Sequence, residues 1–195
     1  YNTAIGAYAL RSTTTGTYNT AVGMESQYSG VGGYWNTSVG AQSLYYNTYG
    51  YGNSAHGLQA LYQNTTGIYN TAVGRLSLEK NTIGSYNSAV GNEALRNNTT
   101  GTRNTAVGIA ALTQNTIGSY NVAIGGYDNQ DYSPLYSNSA GDGNIAIGVA
   151  SLKMNTTGSN NIGIGARYNM GITQATEEIG LMKINSFYLG VHYKL

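Results

Sequence analysis

Few side chains of this 195-residue chain could do chemistry, and their types favour recognition over catalysis. Aromatic rings dominate: 19 tyrosines and one tryptophan, with Tyr28, Tyr34, Trp35, Tyr45, Tyr46, Tyr49, Tyr51 and Tyr62 gathered in one stretch. Exposed rings stack on sugar rings and offer a hydroxyl or an indole N–H for hydrogen bonding. Trp35, Tyr34, Tyr45, Tyr46, Tyr49 and Tyr51 are therefore candidate glycan-binding residues, as are Tyr132 and Tyr136 further on. For the evenly spaced rings Tyr1, Tyr18, Trp35, Tyr69, Tyr86 and Tyr120, the alternative is a structural ladder in which ring stacks on ring.

The remaining chemistry is sparse. Glu25, Glu79, Glu93, Glu177 and Glu178 are candidate acids, yet only Glu25 and Glu93 share a repeat position, and their separation predicts about 19 Å between them, too far for a glycosidase pair. No catalytic residue is assigned. His56 has no second His or Asp beside it in sequence and reads as a hydrogen-bonded wall residue before a ligand. Asp128, Asp131 and Asp142 match no calcium-loop spacing, so no metal site and no cofactor is expected. Cysteine is absent, which rules out disulfides and thiolate metal sites. No glycine run leads into a Lys-Ser/Thr pair as a phosphate loop would. The Asn-x-Ser/Thr sequons at Asn36, Asn64, Asn98 and Asn155 are manufactured by the repeat and carry little information.

What positions these residues is a repeat of 17 residues. Units open at Tyr1, Tyr18, Trp35, Gly52, Tyr69, Tyr86, Arg103 and Tyr120, then at Gly143 and Asn160. The pattern is aromatic-N-T-A-(V/I)-G-x-x-(A/S)-L-x-x-N-T-(T/I)-G-(S/T). Its sixth residue is glycine in every unit, from Gly6 to Gly165, and its sixteenth in the first nine, from Gly16 to Gly158. Two fixed glycines predict two corners per unit, each in a conformation barred to residues with a Cβ. Thr3-Ala4-Ile5 and its equivalents read as very short strands, and the Leu at position ten as a second apolar anchor. The segments are too short and too rich in Asn, Thr and Gly for helices. Each unit is therefore one lap of an all-β, parallel β-solenoid, with about ten coils stacked at about 4.8 Å over roughly 45 Å.

Period-two alternation puts positions three and five on one face and two and four on the other. Because position five is nearly always Val or Ile, threes and fives are expected to face the core, and the small Ala row to lie outside against another surface. A coil this thin buries little per residue, so packing three copies about an axis is expected: a homotrimer.

Asn121-Val122-Ala123-Ile124-Gly125 and Asn144-Ile145-Ala146-Ile147-Gly148 resemble the N-x-V-A-I-G repeats of YadA-like trimeric adhesin heads. Tyr69-Asn70-Thr71-Ala72-Val73-Gly74, with Asn81-Thr82-Ile83-Gly84, also resembles repeats of bacteriophage tail fibres and related bacterial surface fibres. The resemblance covers roughly residues 1–165. It implies a left-handed parallel β-roll, a trimeric fibre segment and surface attachment, and no catalytic residue.

Two regions depart from the repeat. An insertion carrying the only proline, Pro134, predicts a loop at 127–142 leaving the solenoid wall, and such loops often carry binding faces. Beyond Gly165 the period fails, and 166–195 are expected to cap the open end or contact a neighbouring subunit through one or two strands. Only 9% of residues are charged and the net charge is +1, with no basic stripe for nucleic acid and no apolar run long enough to insert into a membrane. The first unit opens in phase at Tyr1, which reads as a processed product or a piece of something longer. Three functions fit: an extracellular trimeric fibre segment, on a cell surface or a virion tail, that binds cell-surface polysaccharide; a subunit polymerising end to end into a filament; and an ice-binding solenoid built on the Thr3, Thr20, Thr37, Thr71 and Thr105 row. Against the last, position three is expected to point inward.

Overall fold

The computed structural model describes residues 1–126 and 133–165 in full, and beyond them only the backbone of four short strands. Ten three-residue strands recur once per coil: β1 (Thr3–Ile5), β2 (Thr20–Val22), β3 (Thr37–Val39), β4 (Ser54–His56), β5 (Thr71–Val73), β6 (Ser88–Val90), β7 (Thr105–Val107), β8 (Val122–Ile124), β9 (Ile145–Ile147) and β10 (Ile162–Ile164). They form one parallel sheet in chain order, each strand pairing with the next. Partners are 17 residues apart, as in Thr3↔Thr20, until Val122↔Ile145, where the offset of 23 absorbs the insertion. The chain is thus a parallel β-solenoid of about nine turns, with no helix among the described residues. After β10 come β11 (Thr176–Glu177), β12 (Met182–Ile184), β13 (Phe187–Leu189) and β14 (Tyr193–Lys194); β13 continues the sheet from β10 and β12 runs antiparallel to β13.

The insertion disturbs less of the wall than 127–142. Ser133 to Asp142 keep the coil path: Leu112 N donates to Pro134 O at 3.1 Å, Leu135 fills position ten fully buried, and Asn138 donates to Asn115 Oδ1. Residues 127–132, including Asp128, Asp131 and Tyr132, lie outside the described residues.

The faces are the reverse of the sequence expectation. Ala72 is fully buried while its neighbour Val73 is 39% exposed, and the same holds at Ala89 and Val90, Ala106 and Val107, and Ala123 and Ile124. Position four faces inward; positions three and five face out. The reason is width. Position four meets the opposite wall so closely that a Cβ built on Gly163, which occupies this position in β10, would lie 2.6 Å from Leu152 Cγ and 2.8 Å from Ser151 Oγ. Ser38, in the same row of β3, has its hydroxyl 2.7 Å from that of Ser26. Only Ala, Ser or Gly fits there, and the volume is supplied from the far wall by fully buried Leu44, Leu61, Leu78, Leu95, Leu112 and Leu135.

Position two turns inward with position four, which would bury an amide in every coil. The amides are satisfied by two asparagine columns. Asn36 Nδ2 donates to Gly50 O at 2.9 Å and to Asn19 Oδ1 below it, and its Oδ1 accepts from Asn53 N. From position thirteen, Asn47 Nδ2 also donates to Gly50 O, and its Oδ1 accepts from Asn64 Nδ2 at 2.8 Å. The glycine carbonyl at position sixteen is thus held between two amides in coil after coil. Each bond contributes only about 1 kcal/mol net, but a buried polar group without a partner costs more than that.

The two glycines have different reasons. At position six the backbone itself demands one: Gly57 and Gly91 sit at φ +137° and +138°, a region closed to side chains. Position sixteen has no positive φ. There the constraint is approach, since a Cβ on Gly33 would lie 2.5 Å from Gly50 O and 2.9 Å from Asn47 Nδ2. The remaining corners are made by residues that carry side chains. Positions one, eight and ten are left-handed in coil after coil, as at Tyr69 (φ 53°), Leu76 (58°) and Leu78 (50°). These conformations each cost on the order of 1 kcal/mol or more, and coil-to-coil bonds such as Leu78 N to Ala94 O at 3.0 Å hold them in place.

Candidate binding surfaces

Because equivalent positions sit directly above one another, side chains that are scattered in sequence become columns on the surface. Position one carries Tyr1 and Tyr18 stacked at 5.2 Å, Trp35, Gly52, then Tyr69 and Tyr86 at 5.5 Å. Arg103 continues the column as a cation between the rings of Tyr86 and Tyr120, 5.3 and 5.4 Å from their centroids. Its neighbour at position seventeen holds Tyr34 stacked on Tyr51 at 4.6 Å with planes 5° apart. The two columns interlock: Trp35 meets Tyr34 edge-on at 4.9 Å, and Tyr69 meets Tyr51 edge-on at 5.3 Å.

A second aromatic cluster occupies positions eleven and twelve. Tyr28 stacks on Tyr45 at 4.9 Å, Tyr45 is followed by Tyr62 at 5.2 Å, and Tyr46 sets its ring edge-on against both. Arg11 closes one end, donating to the Tyr28 hydroxyl and lying over the rings of Tyr8 and Tyr28. Burial, then the hydrogen bond with Tyr46 and the surrounding phenols, pushes the Tyr62 hydroxyl up to about 12.

Of the rings singled out in the sequence, the fold brings Trp35, Tyr34 and Tyr51 together in the first cluster and Tyr45 and Tyr46 in the second. Tyr49 stands apart, exposed at position fifteen, its ring over Gly32. Tyr136 is half-buried at position eleven, but Glu79, Arg96 and Thr113 separate it along that column from Tyr62. Tyr28, Tyr62 and Tyr69 belong to the clusters as fully as the rings first picked. Their signal was the 17-residue spacing to Tyr45 and the break at Gly52. Much of the ring surface is covered by the next ring, so within a stack the edges and hydroxyls face outward rather than the faces.

Four charged side chains pair with one another. Arg96 Nε lies 2.6 Å from Glu79 and its Nη1 3.4 Å from Glu93, which Arg75 also approaches at 3.3 Å. Glu25 accepts from Gln42, whose side-chain oxygen accepts from Gln59, a polar column at position eight. Asp142 accepts from Ser119 N at 2.6 Å, and His56 Nε2 lies 3.2 Å from Ser54 Oγ. No group of three metal-ligating side chains occurs among the described residues, and no helix among them is long and apolar enough to cross a membrane.

The sheet's outer face is the feature that the sequence reading missed. Ile5, Val39, Val73, Val90, Val107, Ile124, Ile147 and Ile164 form an exposed aliphatic row, flanked at position seven by Met24, Leu58 and Ile109. Its signal was in the neighbouring row: position four never exceeds Ala or Ser in size, the mark of an interior, whereas position three varies among Thr, Ser, Val and Ile, the mark of a surface. The chain matches no family model, no curated protein and no solved structure.

Proposed function

We propose that the chain is a structural segment of a homotrimeric extracellular fibre, on a cell surface or a phage tail, that adheres to cell-surface glycans. The exposed aliphatic row along the sheet carries the reading. An exposed aliphatic row along the sheet, broken only at His56, is the kind of surface that another protein surface covers. One row wide, with position seven beside it apolar at Met24, Leu58 and Ile109 but polar at Arg75 and Asn92, the strip suits a narrow contact around a common axis, where like residues of three in-register chains meet coil by coil. That arrangement replaces the one first expected: the aliphatic row, and not the Ala row, faces the partner copies. The aromatic columns at positions one, seventeen, eleven and twelve are then the adhesive surface, and no catalytic role is proposed.

Mass measurement in solution tests the assembly. The parent chain is expected at three times the monomer mass of 20.6 kDa, and the double variant Val73→Lys/Val107→Lys at the monomer mass with the solenoid's circular dichroism kept. A monomeric parent, or a trimer indifferent to the two lysines, removes the proposal. Glycan-array binding that disappears in Trp35→Ala and Tyr46→Ala supports the adhesive reading.

One observation favours a second reading. Thr3, Thr20, Thr37, Thr71 and Thr105 stand on the outer face, in register on a parallel sheet, which lifts the objection to ice binding. Val122, Ile145 and Ile162 end the row in the last three coils. A trimer buries this face and an ice binder exposes it, so thermal hysteresis from a monomeric parent would select the second reading.

A further inference from the structure

We infer that Arg103 is an anion subsite within the position-one column, taking the carboxylate or sulfate of an acidic saccharide; the inference rests on the adhesive reading above and gives it a ligand class. Arg103 stands where the repeat places a ring, and the backbone does not require the change. Its φ is 55°, against 53° to 61° for Tyr18, Trp35, Tyr69, Tyr86 and Tyr120 at the same position. What arginine supplies is a cation in a column of phenols. The ring centroids of Tyr86 and Tyr120 lie 5.3 and 5.4 Å from its Cζ, and its Nη1 donates to the Tyr120 hydroxyl at 2.9 Å. These contacts hold the guanidinium in place before any ligand arrives, which lowers the ordering cost of binding.

The charge has no acid partner. Arg75 and Arg96 pair with Glu79 and Glu93, whereas Arg103 has no carboxylate within ion-pair distance among the described residues. From Ser85 to Val122, positions seventeen, one and three carry only hydroxyl, phenol and aliphatic side chains besides it. The nearest acid on those rows is Asp142, one coil further on, and it accepts from Ser119 N at 2.6 Å. Arg103 is exposed, and one of its five N–H donors has a partner. Such a fork can meet a carboxylate with two parallel hydrogen bonds, and the flanking phenols and hydroxyls suit the sugar that carries it. Arg11 makes the same contacts, over Tyr8 and Tyr28, but Glu25 stands above Tyr8 in the next coil and offsets its charge. A single exposed ion pair is weak and screened by salt. A polysaccharide that repeats its charge, meeting one Arg103 on each chain of the proposed trimer, gains by multivalency.

The full chain is applied to a glycan array that includes oligogalacturonate, its methyl ester, and sulfated and unsulfated galactan oligosaccharides. Binding is expected to at least one of the two charged probes, tenfold or more weaker to its uncharged counterpart, and reduced at high salt. Arg103→Tyr restores a ring that this position accepts elsewhere in the chain, and should weaken that binding tenfold or more; Arg103→Gln should do the same without adding a ring. Arg75→Gln, at an exposed arginine of another row, should leave it unchanged. Equal binding to charged and uncharged probes, a preference for the uncharged ones, or charged-probe binding that survives both Arg103 variants at full strength overturns the subsite while leaving adhesion standing. A parent that binds nothing on the array removes adhesion and the subsite together.

Discussion

At the scale of single residues, the solenoid is held to its pattern by what a narrow interior tolerates, and Gln27 is where that tolerance is most exceeded. It replaces the usual leucine at position ten, is fully buried, and neither its Nε2 nor its Oε1 has a hydrogen-bond partner. It lies beside Gly30, which stands where asparagine usually holds position thirteen. Burying an unsatisfied amide costs about 1–3 kcal/mol, and leucine at this position packs between like residues above and below. Gln27→Leu is therefore expected to stabilise the chain by about 1–3 kcal/mol, read as a higher midpoint in urea unfolding. Adding Gly30→Asn, which extends the second asparagine column by one rung, should raise the midpoint again.

Individual coils are stabilised by their neighbours, since a three-residue strand has no independent stability and each lap supplies the hydrogen-bond partners of the next. Asn81 tests this. It donates to Asn64 Oδ1 and Gly84 O and accepts from Asn98 Nδ2. Asn81→Ala leaves an acceptor in one adjacent coil and a donor in the other, at about 1–3 kcal/mol for each. Hydrogen exchange should quicken in the coils on both sides of the substitution, whereas a defect confined to its own lap would show that the column does not couple them. Much of this was legible in the sequence. The period, the strands, the parallel register and the buried leucines follow from spacing alone. The direction of the faces did not, because alternation says which residues share a face and not which face is inside. Valine's greater hydrophobicity argued for position five, whereas the distance between walls selected alanine. The position-two asparagines go with the alanines: alternation carries them to the outside when position five is read as core, yet their amides are what makes the interior habitable for the glycine carbonyl.

For the molecule as a whole, the aliphatic row has one interruption. His56 stands between Val39 and Val73 on the outer face of the sheet. In the proposed trimer three copies of it meet around the axis, in place of three aliphatic side chains. His56→Val should raise the temperature at which the trimer dissociates, measured by mass at increasing temperature. No change in a chain that remains trimeric would place the axis elsewhere.

Repetition this strict also makes the fold nearly indifferent to its own numbering. If one chain of the proposed trimer slid past its neighbours by a whole lap, valine would meet valine along the outer face as before, and the loss would be confined to the ends. Correct alignment must then be encoded by the exceptions: the lone indole, the bare glycine beside it, the imidazole in the aliphatic row, and the six residues added before Ser133. These irregularities act as an index mark on an otherwise uniform rod. Replacing them with consensus residues would yield a chain that still winds up but, in the proposed trimer, no longer knows where to stop against its neighbours.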